Sequence, residues 1–192
     1  MHEQTFKHRL LQRAGIKAGQ DVLDLGCGTG TLTLMIKRAV PRAHLTGVDG
    51  DPEVLAIARN KAARANLSVQ WDEGMAYALP YRDRSFDVVV TCLVIHHLAS
   101  PEKLRAFKEV YRVLRPGGTV RVADFGRPFS PLTRLQAMIG RNLEEADDNF
   151  SGRLTGMLVE AGFDDVSEMD PFDTIFGPLW FYGGKRSREA GI

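Results

Sequence analysis

The sequence predicts an α/β fold in which a mainly parallel sheet carries helices on both faces. Three observations point there. The apolar run Val22-Leu-Asp-Leu25 ends in Gly26, Gly28 and Gly30 and passes directly into Thr31-Leu-Thr-Leu-Met-Ile36 at helical spacing, which reads as a buried strand turning sharply into a helix. Segments of strand and helix character then alternate down the chain, the pattern of a sheet built by crossovers. Phe86 to Cys92 is rich in β-branched residues and lacks polar alternation, as in a strand covered by helices on both sides.

The 192 residues, 44% of them hydrophobic, suffice for one well-buried domain and are short for two. Twenty-five basic and twenty-four acidic residues nearly cancel, so composition names no nucleic acid or anionic membrane as partner and leaves only the possibility of a local patch. The two cysteines, Cys27 and Cys92, fall at buried strand ends without metal-ligand spacing, consistent with thiols in a reducing cytoplasm. No signal-like start and no membrane-length apolar run is found, so the expected location is cytoplasmic.

Taken in order, Phe6, Leu10, Leu11 and Ala14 share one helical face, ended by Gly15 and Gly19. This leading helix is expected to pack on the sheet, with a place in the wall over a ligand as the second reading. Leu45 to Asp49 is the second strand, and Asp51-Pro52-Glu53 opens a helix with a cap, a proline at the first position and an acid in the first turn. Val54, Ala58 and Ala62 are expected to face the core of that helix. Asp49 closes the second strand, where a carboxylate accepts hydrogen bonds from both hydroxyls of a ribose.

A third strand around Leu67 to Trp71 leads through Glu73-Gly-Met-Ala-Tyr-Ala-Leu-Pro-Tyr81 to the fourth strand at Phe86. Ser100-Pro101-Glu102 then opens a helix with Leu104, Phe107, Tyr111 and Leu114 on one face, closed by the Pro116-Gly-Gly118 turn before a fifth strand from Thr119 to Phe125. Leu132, Leu135, Met138, Ile139 and Leu143 mark an amphipathic helix, and Glu144-Glu-Ala-Asp-Asp148 reads as a solvated run. Leu154, Met157, Leu158 and Ala161 form a last core-facing helix stopped by Gly162. Val166 to Met169 and Thr174 to Tyr182, broken by Pro171, predict a terminal antiparallel hairpin, and Gly183 to Arg188 a frayed basic tail.

The stretch Leu23 to Gly30, hydrophobic-Asp-hydrophobic-Gly-x-Gly-x-Gly, resembles the first motif of the class I S-adenosylmethionine-dependent methyltransferases. The Leu79-Pro80 segment with the following Ser85-Phe-Asp87 is similar to a second family stretch. Asp124-Phe-Gly-Arg-Pro128 looks like the strand ending of the ubiquinone and menaquinone biosynthesis branch. The likeness covers roughly residues 20 to 125 and implies a Rossmann-like seven-stranded, doubly wound sheet in the order 3-2-1-4-5-7-6 with strand 7 antiparallel. It divides a single domain into a leading helix over 1–19, a cofactor-binding core over 20–125, a substrate cap over 126–150, and a final helix and hairpin over 151–192.

The implied function is methyl transfer from S-adenosylmethionine to a small-molecule acceptor, releasing S-adenosylhomocysteine. Carried onto this chain, Asp24, Gly26 and Gly28 would hold the amino-acid portion of the cofactor, Asp49 and Gly50 the ribose side, and Met75 and Ala76 the adenine, with Thr91 near the pocket floor. Met75 departs from the family pattern, because it replaces an acid that receives the adenine amino group; a thioether packs on the ring instead. His96 and His97 lie just past the fourth strand, where a near-neutral imidazole suits proton removal, yet a His-His pair there reads first as shaping the pocket. No metal is expected of two histidines without a third ligand. Two alternatives stay open: a non-catalytic S-adenosylmethionine-binding or regulatory subunit, and a nicotinamide-dependent oxidoreductase, which would need the pyrophosphate site that this glycine spacing lacks.

Overall fold

The computed structural model describes residues 2–131, 133–134, 146–174 and 177–188. Seven strands form one sheet in the order β3-β2-β1-β4-β5-β7-β6. The elements follow the expected alternation: α1 His2–Ala14, β1 Asp21–Leu25, α2 Thr31–Ala39, β2 His44–Asp49, α3 Pro52–Arg64, β3 Gln70–Glu73 and β4 Phe86–Cys92. A 3-10 turn Ile95–His97 precedes α4 Ser100–Val113 and β5 Leu114–Phe125; α5 Asp147–Phe150, α6 Leu154–Glu160, β6 Asp164–Thr174 and β7 Gly177–Lys185 complete the chain. β1 to β5 pair in parallel, and β7 runs antiparallel between β5 and β6.

Successive residues of the central strands supply two separate cores, because side chains alternate across the sheet. Leu23, Val89 and Val120 face α4 and α6 through Phe107, Val110, Leu154 and Leu158. Val22, Val88 and Val90 face the other way, onto Phe6, Leu10 and Ala14 of α1 and Leu32 and Ile36 of α2. The leading helix therefore packs on the sheet, as its periodicity predicts.

Local signals set several helix ends. Asp51, in an extended conformation, accepts the Glu53 N–H at 2.8 Å, with Pro52 in the first turn of α3. The core position of that helix falls to Leu55 and not to Val54, which is only half-buried.

Four expectations in the second half are corrected. β5 begins at Leu114, which pairs with Phe86, so the Pro-Gly-Gly segment lies within an irregular start of the strand and not between helix and strand. Proline needs no donor partner where the ladder is already shifted. Pro171 likewise sits inside β6 at a register shift between Met169 and Phe172, and Thr174 belongs to that strand. The expected frayed tail is anchored: Gly183 to Lys185 belong to β7, and the Arg186 guanidinium donates to the carbonyls of Tyr111, Arg112 and Leu114 while stacking 4.7 Å from the Tyr111 ring. Finally, Asp148 of the expected solvated run is buried, 2.7 Å from Arg153 and 3.7 Å from the fully buried Lys103 of α4. The predicted helix at Leu135 to Leu143 lies outside the described residues, as do Leu132, Glu144 and Glu145.

Candidate functional site

The carboxyl ends of β1, β2, β3 and β4 open on one edge of the sheet into a cleft of about 470 Å³. Ligands collect at this edge in open α/β sheets because the connecting loops diverge there. Gly26 and Gly28 come from the turn after β1, Asp49 and Gly50 from the end of β2, Met75 and Ala76 from the loop after β3, and Leu93, Val94 and His97 from beyond β4.

The turn after β1 needs its glycines for distinct reasons. Gly26 has φ +65°, and a Cβ there would meet Val94 Cγ2 at 2.4 Å. Gly28 has φ +52° and nothing within 4 Å of an added Cβ, so any side chain would project into the cleft's open space. Its N–H donates to Asp49 Oδ2 at 2.8 Å, and the Asp51 N–H donates to Asp49 Oδ1 at 3.1 Å. These two amides orient the Asp49 carboxylate at the cleft wall while leaving lone pairs for further donors.

Asp24, Thr91 and His96 do not line the cleft. Asp24 is 2% exposed at the end of β1 and accepts from Thr33 Oγ1 at 2.5 Å. Burial pushes its carboxyl up to about 6, a rise that the Thr33 bond and the nearby Lys7 charge oppose without reversing. Thr91 is buried on β4, and its Oγ1 has no hydrogen-bond partner among the described residues.

The two histidines part company. His97 is exposed and faces the cleft, whereas His96 is buried with Nδ1 2.7 Å from Asp124 Oδ1. Because a carboxylate accepts, Nδ1 carries the proton in this pair. Asp124, at the end of β5, also receives the N–H groups of Val94, Ile95 and Phe125 and the Asn149 side-chain amide. One carboxylate thus ties the turn after β4 to β5 and to α5. Edge-on packing of His96 on Phe125 at 4.7 Å, with Phe125 stacked 5.8 Å from Phe150, adds an aromatic cluster beside it.

The loop bearing Met75 is clamped from the opposite side. Glu109 Oε2 accepts the Leu79 N–H at 2.8 Å, and Arg112 donates to the carbonyls of Tyr81 and Leu79 while pairing with Glu109 and Asp83. Met75 is 45% exposed at the cleft mouth, its sulfur lying over Gly50. Asp72 stands in β3 and accepts from Tyr81 and Gln70 at Oδ2. Sequence reasoning singled out neither Leu93, which lines the cleft with a left-handed φ of +59°, nor the Asp124 hub. A branched side chain in that region stores on the order of 1–2 kcal/mol, a cost that clusters at ligand sites.

The cleft's charge is diagnostic. Asp49 and Asp51 line it, and among the described residues no Lys or Arg does. An acidic wall with apolar neighbours suits a cationic nucleoside, and it opposes a pyrophosphate. Among the described residues no group of three or more His, Cys, Asp or Glu side chains could hold a metal ion, and no helix is long and apolar enough to cross a membrane.

Fold and cleft together define a Rossmann-like α/β protein with an open cleft at the carboxyl edge of a seven-stranded mixed sheet. A family model described as a methyltransferase domain matches residues 22–118. The demethylmenaquinone methyltransferase of Thermus thermophilus is 42% identical over 123 residues, covering 64% of this chain and 55% of that protein. The demethylmenaquinone methyltransferase of Staphylococcus aureus is 30% identical over 184 residues, covering 84% and 75%. Among solved structures, the YcgJ protein from Bacillus subtilis superposes with a TM-score of 0.75 at 18% identity, over 96% of this chain and 98% of that one, a likeness of fold. The chain belongs to the class I S-adenosylmethionine-dependent methyltransferase family. It spans about half the length of the Thermus relative.

Proposed function

We propose that the protein binds S-adenosylmethionine in this cleft and transfers its methyl group to a small-molecule acceptor, releasing S-adenosylhomocysteine. The observation that carries the reading is the acidic cleft at the ends of β1 and β2, which accepts a cationic nucleoside and would repel the pyrophosphate of a nicotinamide cofactor.

When bound, S-adenosylmethionine supplies an electrophilic methyl group on a sulfonium. The protein's own tasks are then placement and exclusion of water. Asp49 is assigned to the ribose hydroxyls and Gly50 to the backbone beside them. Gly26 and Gly28 leave room for the amino-acid portion, and Asp24 provides negative charge beneath it. Met75 and Ala76 pack on the adenine face, and Thr91 underlies the floor. His96, fixed by Asp124, and His97 shape the acceptor side, with the proton lost by the acceptor leaving to solvent.

The printed names of the relatives support a quinone-type acceptor. The cap expected over 126–150 includes residues 132 and 135–145, which lie outside the described residues.

Calorimetric titration with S-adenosylmethionine, S-adenosylhomocysteine and NADH tests the cofactor assignment. Micromolar binding of the two adenosyl ligands, weakened at least tenfold (about 1.4 kcal/mol) in Asp49→Ala, is the expected result. Binding of NADH alone would reject it. Methyl transfer to a demethylated quinol then separates an enzyme from a protein that only binds the cofactor.

A further inference from the structure

α1, α2 and α3 enclose a second open space that shares no lining residue with the cofactor cleft. α2 is short and lies between α1 and the last turn of α3, and the trough above it has a volume of about 850 Å³. Leu11, Leu34 and Met35 give it an apolar floor, while Arg38, Lys61 and Arg64 stand around it and, among the described residues, no Asp or Glu lines it.

Cations in the last turn of a helix complement its dipole, which accounts for each of these residues singly. It does not account for three of them converging on one apolar floor, where like charges repel. Lys61 Nζ donates to Thr29 Oγ1 at 2.7 Å, and neither Arg38 nor Arg64 makes an ion pair among the described residues. In a chain with a formal charge of +1, this is a local concentration of positive charge that no carboxylate among the described residues pairs.

We propose that the trough binds one single-chain amphiphilic anion, with an alkyl or acyl chain on the floor and a phosphate or carboxylate head held by Arg38, Lys61 and Arg64. The 9 residues of α2 make a floor only about 13 Å long. That is too small for a protein partner, which needs roughly 800 Å² on each side. An apolar floor also offers nothing to a nucleic-acid backbone, which follows a continuous basic track.

Dodecyl phosphate, kept below its micelle concentration, is titrated calorimetrically into the full chain, alongside inorganic phosphate, dodecanol and vesicles of phosphatidylcholine with phosphatidylglycerol. Saturable one-site binding is expected, tighter than that of phosphate or dodecanol. It should weaken at least tenfold in the double variant Arg38→Glu, Arg64→Glu and in Met35→Glu. Absence of binding, equal binding of inorganic phosphate, undiminished binding in both variants, or capture by anionic vesicles without binding of the monomer would overturn the proposal. Titration of the same variants with S-adenosylmethionine reports on the cleft independently, so failure of either assignment leaves the other readable.

Discussion

Replacing Asp24 by Asn tests the electrostatics under the proposed cofactor cleft most directly. The buried carboxyl is carried from an ordinary 3.8 to about 6, mainly by burial. That displacement is worth on the order of 3 kcal/mol between the two protonation states. Well below pH 3.8 the group is protonated in both folded and unfolded chains, so it costs nothing. As pH rises towards 6 the unfolded chain releases its proton while the fold retains it, and above 6 the fold holds a desolvated anion. The penalty therefore grows between about pH 4 and pH 6 and is complete at pH 7. Asn keeps the shape and still accepts from Thr33, so the variant should gain up to about 3 kcal/mol over wild type at pH 7 and almost nothing at pH 4. Urea unfolding at half-unit intervals from pH 4 to pH 8, without ligand, measures this. A variant that is equally stable or less stable than wild type by the same amount at every pH refutes the reasoning. A second consequence concerns binding: if Asp24 serves the cationic amino-acid portion, affinity for S-adenosylmethionine falls as pH drops through 6.

Asp148→Asn should destabilise the fold by about 3 kcal/mol in urea titrations, since it removes the carboxylate from beside the buried Lys103, and adding Lys103→Met should restore most of the loss. Arg186→Met gives up hydrogen bonds to three backbone carbonyls and a stack on Tyr111, an expected cost of about 2–3 kcal/mol read by thermal unfolding. Gly28→Ala should lose about 1–2 kcal/mol to its left-handed φ and bind S-adenosylmethionine more weakly still, whereas a variant with unchanged affinity would remove Gly28 from the site. For His97→Ala, turnover within tenfold of wild type supports pocket shaping, and a loss beyond a hundredfold would assign the residue to proton removal.

The central strands, the glycine turn and the capped start of α3 were legible because each is written in a few neighbouring residues, whereas the third strand, expected around Leu67 to Trp71, lies at Gln70–Glu73. Asp51-Pro52-Glu53 needs only its own backbone to declare a helix start. Hydrophobic period was less exact in phase: it named Val54 where Leu55 is buried, one position along the helix. Polar residues were the hardest to read. Lys103 and Asp148 look solvated from their neighbours, and only the tertiary approach of α4 and α5 turns them into a buried pair. The hold of Glu109 and Arg112 on the loop from Leu79 to Asp83 joins segments that no local pattern connects. The same is true of the Asp124 hub, whose role depends on where β5 ends relative to the turn after β4. In the candidate site, the residues on loops at strand ends could be named from motif and position. That Asp24 and His96 are buried beneath the cleft could not, since alternation tells which face a strand residue takes but not how deeply the next loop covers it.

The insertion of β7 between β5 and β6 bears on how the protein is made. As the chain leaves the ribosome, β5 is complete at Phe125, yet the strand that covers its outer edge is residues 177–185. At a synthesis rate of roughly 5–20 residues per second, that edge stays open for several seconds, with Val120, Val122 and Ala123 not yet covered. β6 cannot shield it, because its only place in the sheet is outside β7. The nascent protein thus carries an unfinished, adhesive margin until residues 177–185 arrive, and Arg186, bonded across to the end of α4 and the start of β5, secures the strand that closes it.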